Sequence, residues 1–149
     1  MKISVCMAAY KGEKYIASQI NSILSQLSDK DELIVSDDEP SGDTERIVKE
    51  FSKDDPRVRY IEGPSKGVIK NFENSIKAAT GDVIFLSDQD DIWCEGKVQK
   101  VISEIKNGAG LVLHDAKVTD ADLQVTTESY FEKHKSRQGF INNIVRNGD

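Results

Sequence analysis

Two cysteines, Cys6 and Cys94, are all that the 149-residue chain contains. One lies inside an apolar strand-like run and the other follows Trp93. Neither a disulfide framework nor a spaced thiolate metal site can be built from them, and a reducing compartment is the default expectation. Also missing is any run near the ~18 apolar residues that a membrane span needs. Met1 and Lys2 before Ile3 to Ala9 faintly imitate a signal peptide, but the apolar stretch is short and Ser4 interrupts it. There is no block of Lys and Arg. The net charge of -6 comes from acids spread along the chain, so nucleic acid is not an expected partner. An acidic protein that holds a phosphorylated ligand needs a cation to mask the like-charge repulsion.

What is present suits a soluble globular domain: 38% hydrophobic and 31% charged residues in a length that can bury one core. A single domain over 1–149 is expected. Ile3 to Met7 reads as a strand, followed by a helix in which Ile16, Ile20, Ile23, Leu24 and Leu27 recur at steps of three and four. The pattern repeats. Glu32 to Ser36 reads as a strand, Ser41 to Phe51 as a helix, and Arg57 to Glu62 as a strand. The next helix aligns Ile69, Phe72, Ile76 and Ala79, with Gly81 as its C-terminal glycine. Val83-Ile84-Phe85-Leu86 is the most continuous apolar strand and is expected at the centre of the sheet, covered on both faces. Val98, Val101, Ile102 and Ile105 mark a helix, Leu111 to Leu113 a fifth strand, and Phe140, Ile141, Ile144 and Val145 a last amphipathic segment. Alternation of this kind implies an α/β fold with a mainly parallel sheet and helices on both faces.

Such sheets bind ligands beyond the carboxyl ends of their strands. There the sequence places Ala8-Ala9-Tyr10, Asp37-Asp38, Asp88-Gln89-Asp90-Asp91 and His114-Asp115. Carboxylates clustered at a ligand edge need a cation or donors to neutralise them. Mg2+ and Mn2+ typically use one or two protein carboxylates and complete their shell with phosphate and water, so an Asp-Xaa-Asp bend suffices. The plainer reading of Asp88 to Asp91 is a solvated turn whose Asp90 or Asp91 caps the next helix. Asp37 and Asp38 could likewise form only a turn, although one of the pair could accept a base N–H or a ribose hydroxyl. Tyr10 could pack on a base or on the rim. His114 is as readily a half-buried histidine as a ligand, and Lys66 and Lys70 fit a solvated helix face.

Taken together, Ile3 to Tyr10 with Glu13, Ile34-Val35-Ser36-Asp37-Asp38, Gly81-Asp82 and Phe85-Leu86-Ser87-Asp88-Gln89-Asp90-Asp91-Ile92-Trp93 resemble the family 2 glycosyltransferases of GT-A fold. The Asp-Gln-Asp-Asp-Ile-Trp string is most similar to the branch with bacterial rhamnosyltransferases and other enzymes of surface-polysaccharide assembly. The resemblance implies inverting transfer from a UDP- or dTDP-linked sugar to a saccharide or lipid-linked acceptor. It implies a nucleotide-sugar site formed by Ala8, Tyr10, Glu13, Asp37, Asp38 and Asp88, with Asp88 and Asp90 at Mn2+ or Mg2+. A cytoplasmic location, compatible with attachment at the inner membrane face, goes with it.

Two local departures stand out. Glu39-Pro40-Ser41-Gly42-Asp43 replaces the family's Gly-Ser-Thr-Asp loop, and Ser65 precedes Lys66-Gly67 where Asn is usual. Because family members extend well past this length, the chain is expected to be an N-terminal fragment truncated on the acceptor side. Its general base is expected beyond residue 149. The alternatives are a metal-dependent nucleotidyltransferase, for which Ala8 to Gly12 is a poor Gly-rich loop, and a non-catalytic metal-binding α/β module. A receiver-like module would carry its acids after the first strand, where Met7-Ala8-Ala9 has none.

Overall fold

The computed structural model describes residues 1–120 and 122–134. The amphipathic segment expected at Phe140, Ile141, Ile144 and Val145 lies outside the described residues. Strands and helices alternate as β1 (Ile3–Ala9), α1 (Ile16–Leu24), β2 (Glu32–Asp37), α2 (Asp43–Asp54), β3 (Val58–Glu62), α3 (Val68–Ala78), β4 (Val83–Asp88) and α4 (Lys97–Lys106). The four strands are all parallel and lie in the order β3-β2-β1-β4. The chain divides into two compact units, residues 1–103 and 104–149, and the sheet belongs to the first. The second holds an antiparallel pair, β5 (Val118–Thr119) and β6 (Val125–Thr127), and the short α5 (Tyr130–Lys133). Among the described residues no helix is long and apolar enough to cross a membrane.

The core of the first unit follows from the two periodicities. Val5 and Met7 of β1 and Leu33 and Val35 of β2 project to one face, where they meet Ile16, Ile20 and Ile23 of α1 and Val48 of α2. Each fully buried aliphatic side chain contributes roughly 1.5–3 kcal/mol, so this layer sets the sheet. On the other face α3 packs over β1 and β2. It approaches closely because the side chains it turns inward are Asn71 and Ser75.

Several expectations need correction. β1 and β2, not β4, are the fully buried centre of the sheet. Among the described residues β4 is its edge: Ile84 and Leu86 pair in register with Ser4 and Cys6 on the α3 side, but remain 43% and 54% exposed. Continuous hydrophobicity reports burial on two faces only where both faces are covered, and here only the Phe85 side is. The apolar line of α3 is likewise not its buried face. Ile69 is 73% exposed and Ile76 38%, because Asn71 and Ser75 are the residues turned to the sheet, where Asn71 Nδ2 donates to the Ala9 carbonyl.

Gly81 does not cap α3, which ends at Ala78. It instead lets the chain pass β1, since a β-carbon there would stand 2.6 Å from the Ser4 nitrogen. Leu111 to Leu113 forms no strand, and Leu111 and Leu113 are exposed. An apolar triplet becomes a strand only where another edge accepts its backbone groups, and it has no ladder partner among the described residues.

Candidate functional site

The sheet order creates the site. From β1 the chain moves outward to β2 and β3, then returns to place β4 on the other side of β1. The crevice between the carboxyl ends of β1 and β4 is therefore the point where strand order reverses, the usual ligand position in open α/β sheets. Register brings the predicted residues together there, with Ala8 opposite Asp88 and Ala9 opposite Asp37. A cavity of about 220 Å³ opens at this edge, walled by Ala8, Ala9, Tyr10, Asp38 and Asn71 on one side and by Asp88, Gln89 and Asp90 on the other. Of the residues expected at the nucleotide sugar, Ala8, Tyr10, Asp38 and Asp88 line it, while Glu13 and Asp37 are not on its wall.

Asp88 ends β4 with its backbone held and its carboxylate open. The buried Gln19 amide donates to the Asp88 carbonyl at 3.2 Å and to the Ser87 hydroxyl at 2.7 Å. Among the described residues no donor is found on the carboxylates of Asp88 and Asp90. Asp88 is exposed to solvent, yet the partial burial of its carboxyl, and then the charges of Asp91 and Asp90, raise it above its ordinary value. The turn does not cap a helix either, since α4 starts only at Lys97.

These are hard oxygen donors under mutual repulsion, a set that suits Mn2+ or Mg2+. Among the described residues no group of three or more His, Cys, Asp or Glu forms a cage. The fit is thus to a cation whose shell is completed from outside the protein.

Asp37 and Asp38, adjacent in sequence, do different work. Both oxygens of Asp38 are committed: Oδ1 accepts the Ser65 N–H at 3.0 Å and Oδ2 the Gly67 N–H at 2.8 Å. Asp38 thereby shapes the β3–α3 loop, where Ser65 and Gly67 have φ of 53° and 84°. Asp37 is fully buried; its Oδ1 accepts the Glu39 N–H at 3.1 Å, and among the described residues Oδ2 has no partner at hydrogen-bond distance, although the Tyr60 hydroxyl interacts with this carboxylate. Burial, reinforced by the charges of Glu39 and Glu45, pushes this carboxyl upward despite the Glu39 hydrogen bond. Burial also raises the Tyr60 hydroxyl, with the Asp37 charge next in effect.

Tyr10 stands on the rim, 55% exposed, with the Lys11 ammonium 5.3 Å from its ring centroid. Glu13 is exposed and receives the Thr44 hydroxyl at 3.4 Å. Lys70 pairs with Glu73 at 2.8 Å, in keeping with a solvated helix face. In the second unit, Asp115 accepts hydrogen bonds from the Ser129 hydroxyl and the Ala116 and Phe131 amides, and so organises its own turn. His114 Nδ1 lies 3.1 Å from the Asp115 carbonyl.

The sequence reading missed Gln89, Gln19 and Asn71. Gln89 stood in plain view between the two aspartates, but its partner is a backbone 79 positions away.

The sequence matches the model of Glycosyl transferase family 2 over residues 4–147. The Escherichia coli UDP-Glc:alpha-D-GlcNAc-diphosphoundecaprenol beta-1,3-glucosyltransferase WfgD is 35% identical over 102 residues, covering 68% of this chain and 40% of that protein. The Shigella flexneri dTDP-rhamnosyl transferase RfbG is 35% identical over 102 residues, covering 64% of this chain and 35% of its own. In fold, the chain is similar to the Pyrobaculum calidifontis mannosyltransferase PcManGT solved in complex with GDP-Man and Mn2+. That match has a TM-score of 0.64 at 18% identity, over 79% of this chain and 35% of that one. The chain spans less than half the length of these relatives.

Proposed function

The chain belongs to glycosyltransferase family 2, and from that premise we propose that it holds a UDP- or dTDP-linked sugar in the β1–β4 crevice. The sugar is destined for a saccharide or lipid-linked acceptor of surface-polysaccharide assembly, with inversion at the anomeric carbon. One observation carries this reading: among the described residues Asp88 and Asp90 present carboxylates without donors beside the Tyr10 rim, at the switch point of the sheet. The related glucosyl and rhamnosyl transferases, whose names specify UDP-Glc and dTDP-rhamnosyl chemistry, support the donor class.

Asp88 and Asp90 are the residues to hold Mn2+ or Mg2+, which when bound supplies positive charge against the diphosphate as it leaves. Tyr10 offers its exposed ring to the nucleoside, and Ala8 leaves room beside it. Asp37 is assigned to a uracil or thymine N3–H because both oxygens of Asp38 are engaged; its carboxylate is buried behind the cavity wall beside Tyr60, so the base reaches it only once that cover moves. Asp38 and the Ser65 to Gly67 loop then keep the far wall in place.

Calorimetric titration of the chain with UDP and with dTDP, with and without Mn2+, tests this directly. Binding is expected to depend on Mn2+, and Asp90→Ala is expected to remove that dependence. Equal affinity with and without the metal, or an unchanged Asp90→Ala variant, would overturn the assignment.

A further inference from the structure

Gln89 occupies the middle of the acidic bend and lines the cavity, but the amide of its side chain is taken up by the protein. It reaches back across the crevice to the loop after β1. There its Oε1 accepts the Tyr10 N–H at 2.9 Å and its Nε2 donates to the Tyr10 carbonyl at 2.8 Å. The primary amide thus pairs with Tyr10 as a peptide group of a neighbouring strand would. It adds one rung to the β1–β4 ladder just past the Ala8–Asp88 pair.

Gly12 is shaped to this arrangement. A β-carbon there would lie 2.0 Å from Gln89 Oε1 and 2.6 Å from Gln89 Cδ, and its three nearest neighbours all belong to Gln89. Gly12 has no positive φ that would itself demand glycine, so its small size serves the amide of Gln89.

We propose that Gln89 is a positioning residue that locks the Tyr10 loop to the Asp88–Asp90 bend, and so couples nucleoside binding to metal binding. The role rests on the donor-site reading above. The two halves of that site come from strand ends 79 positions apart in sequence, and this amide bridges them directly, in addition to the β1–β4 pairing. With the bridge intact, a nucleotide that orders Tyr10 also orders the backbone carrying the two carboxylates. Without it only the direct meeting of metal and diphosphate couples the two halves, and the ordering of Tyr10 no longer adds to it.

The test is a double-mutant cycle on the full chain, with Gln89→Ala, Gly12→Ala and both together, checked for cooperative folding by circular dichroism. Two quantities are read. Hydrogen exchange of the Tyr10 amide reports the clamp, and the factor by which Mn2+ strengthens UDP binding reports the coupling. In the unaltered chain that factor is expected to be about tenfold or more, and about threefold or less in either single variant. The Tyr10 amide is expected to lose protection in both.

The double variant is expected to be no worse than Gln89→Ala, since the alanine methyl at position 12 then has nothing to displace. Additive losses, or a Tyr10 amide unprotected in the unaltered chain, would overturn the clamp. Lost protection with undiminished coupling would overturn its functional role while leaving the donor site standing. Failure of the unaltered chain to bind UDP with Mn2+ would overturn the donor site for that base, and the coupling role with it. If Gly12→Ala does not fold, Gln89→Ala alone decides both readouts.

Discussion

Gly63 leaves no space for a side chain. A β-carbon there would meet Asp38 Oδ1 at 2.4 Å, the Asp37 carbonyl oxygen at 2.7 Å and Asn71 Oδ1 at 2.8 Å. Its N–H also donates to the Asp37 carbonyl at 2.7 Å, so the backbone cannot simply retreat. Gly63→Ala is expected to push Asp38 away from the Ser65 and Gly67 amides and to cost about 1–3 kcal/mol. Urea denaturation measures the cost, and exchange of those two amides shows whether the Asp38 bonds have gone. At this scale the sequence told that carboxylates end β2. It could not tell which one is spoken for, since the donors to Asp38 stand 27 and 29 positions further on.

Between elements, Glu32 at the start of β2 ties three strands and the turn before β4. Its carboxylate accepts the Ser4 hydroxyl of β1 at 2.7 Å, the Thr80 N–H at 2.8 Å and Arg59 Nη1 of β3 at 2.7 Å. Burial by itself would raise this carboxyl, but the bonds from Thr80, Ser4 and Arg59 outweigh it and hold the pKa at about 2. A carboxyl depressed in the folded state contributes stability that is complete above its unfolded value. That contribution is lost as pH falls toward the folded value, here between the ordinary 4.5 and about 2. Discounting for the solvent around Arg59, Glu32→Gln is expected to cost about 2 kcal/mol at neutral pH. The gap between the two chains should close near pH 2, as followed by denaturation midpoints across pH. A gap that persisted there would assign the loss to packing instead. The periodicity of α1 and α2 was readable because their apolar faces are their buried faces. That of α3 misled because small polar residues bring this helix closer to the sheet than its isoleucines could.

For the whole molecule, the reversal of strand order at β1 and β4 gathers a site from segments that are remote in the chain. No group of three or more metal-ligating side chains forms a cage among the described residues. Mn2+ alone is therefore expected to move the melting temperature by about 1 °C or less, and Mn2+ with UDP by several degrees through mass action on the folded state. Differential scanning calorimetry checks this, and a large shift with the metal alone would mean that the chain supplies most of the coordination shell itself. From sequence alone the alternation of elements, the parallel sheet and the acids at its ligand edge were determined, because periodicity and strand-end position are local properties. Tertiary structure alone decided that β4 is an edge among the described strands, that Asp38 is committed to the Ser65 and Gly67 amides while Asp37 is buried beside Tyr60, and that Gln89 grips Tyr10. Each depends on partners brought together only when the strands align, and hydrogen bonds across a sheet leave no periodic trace in the sequence.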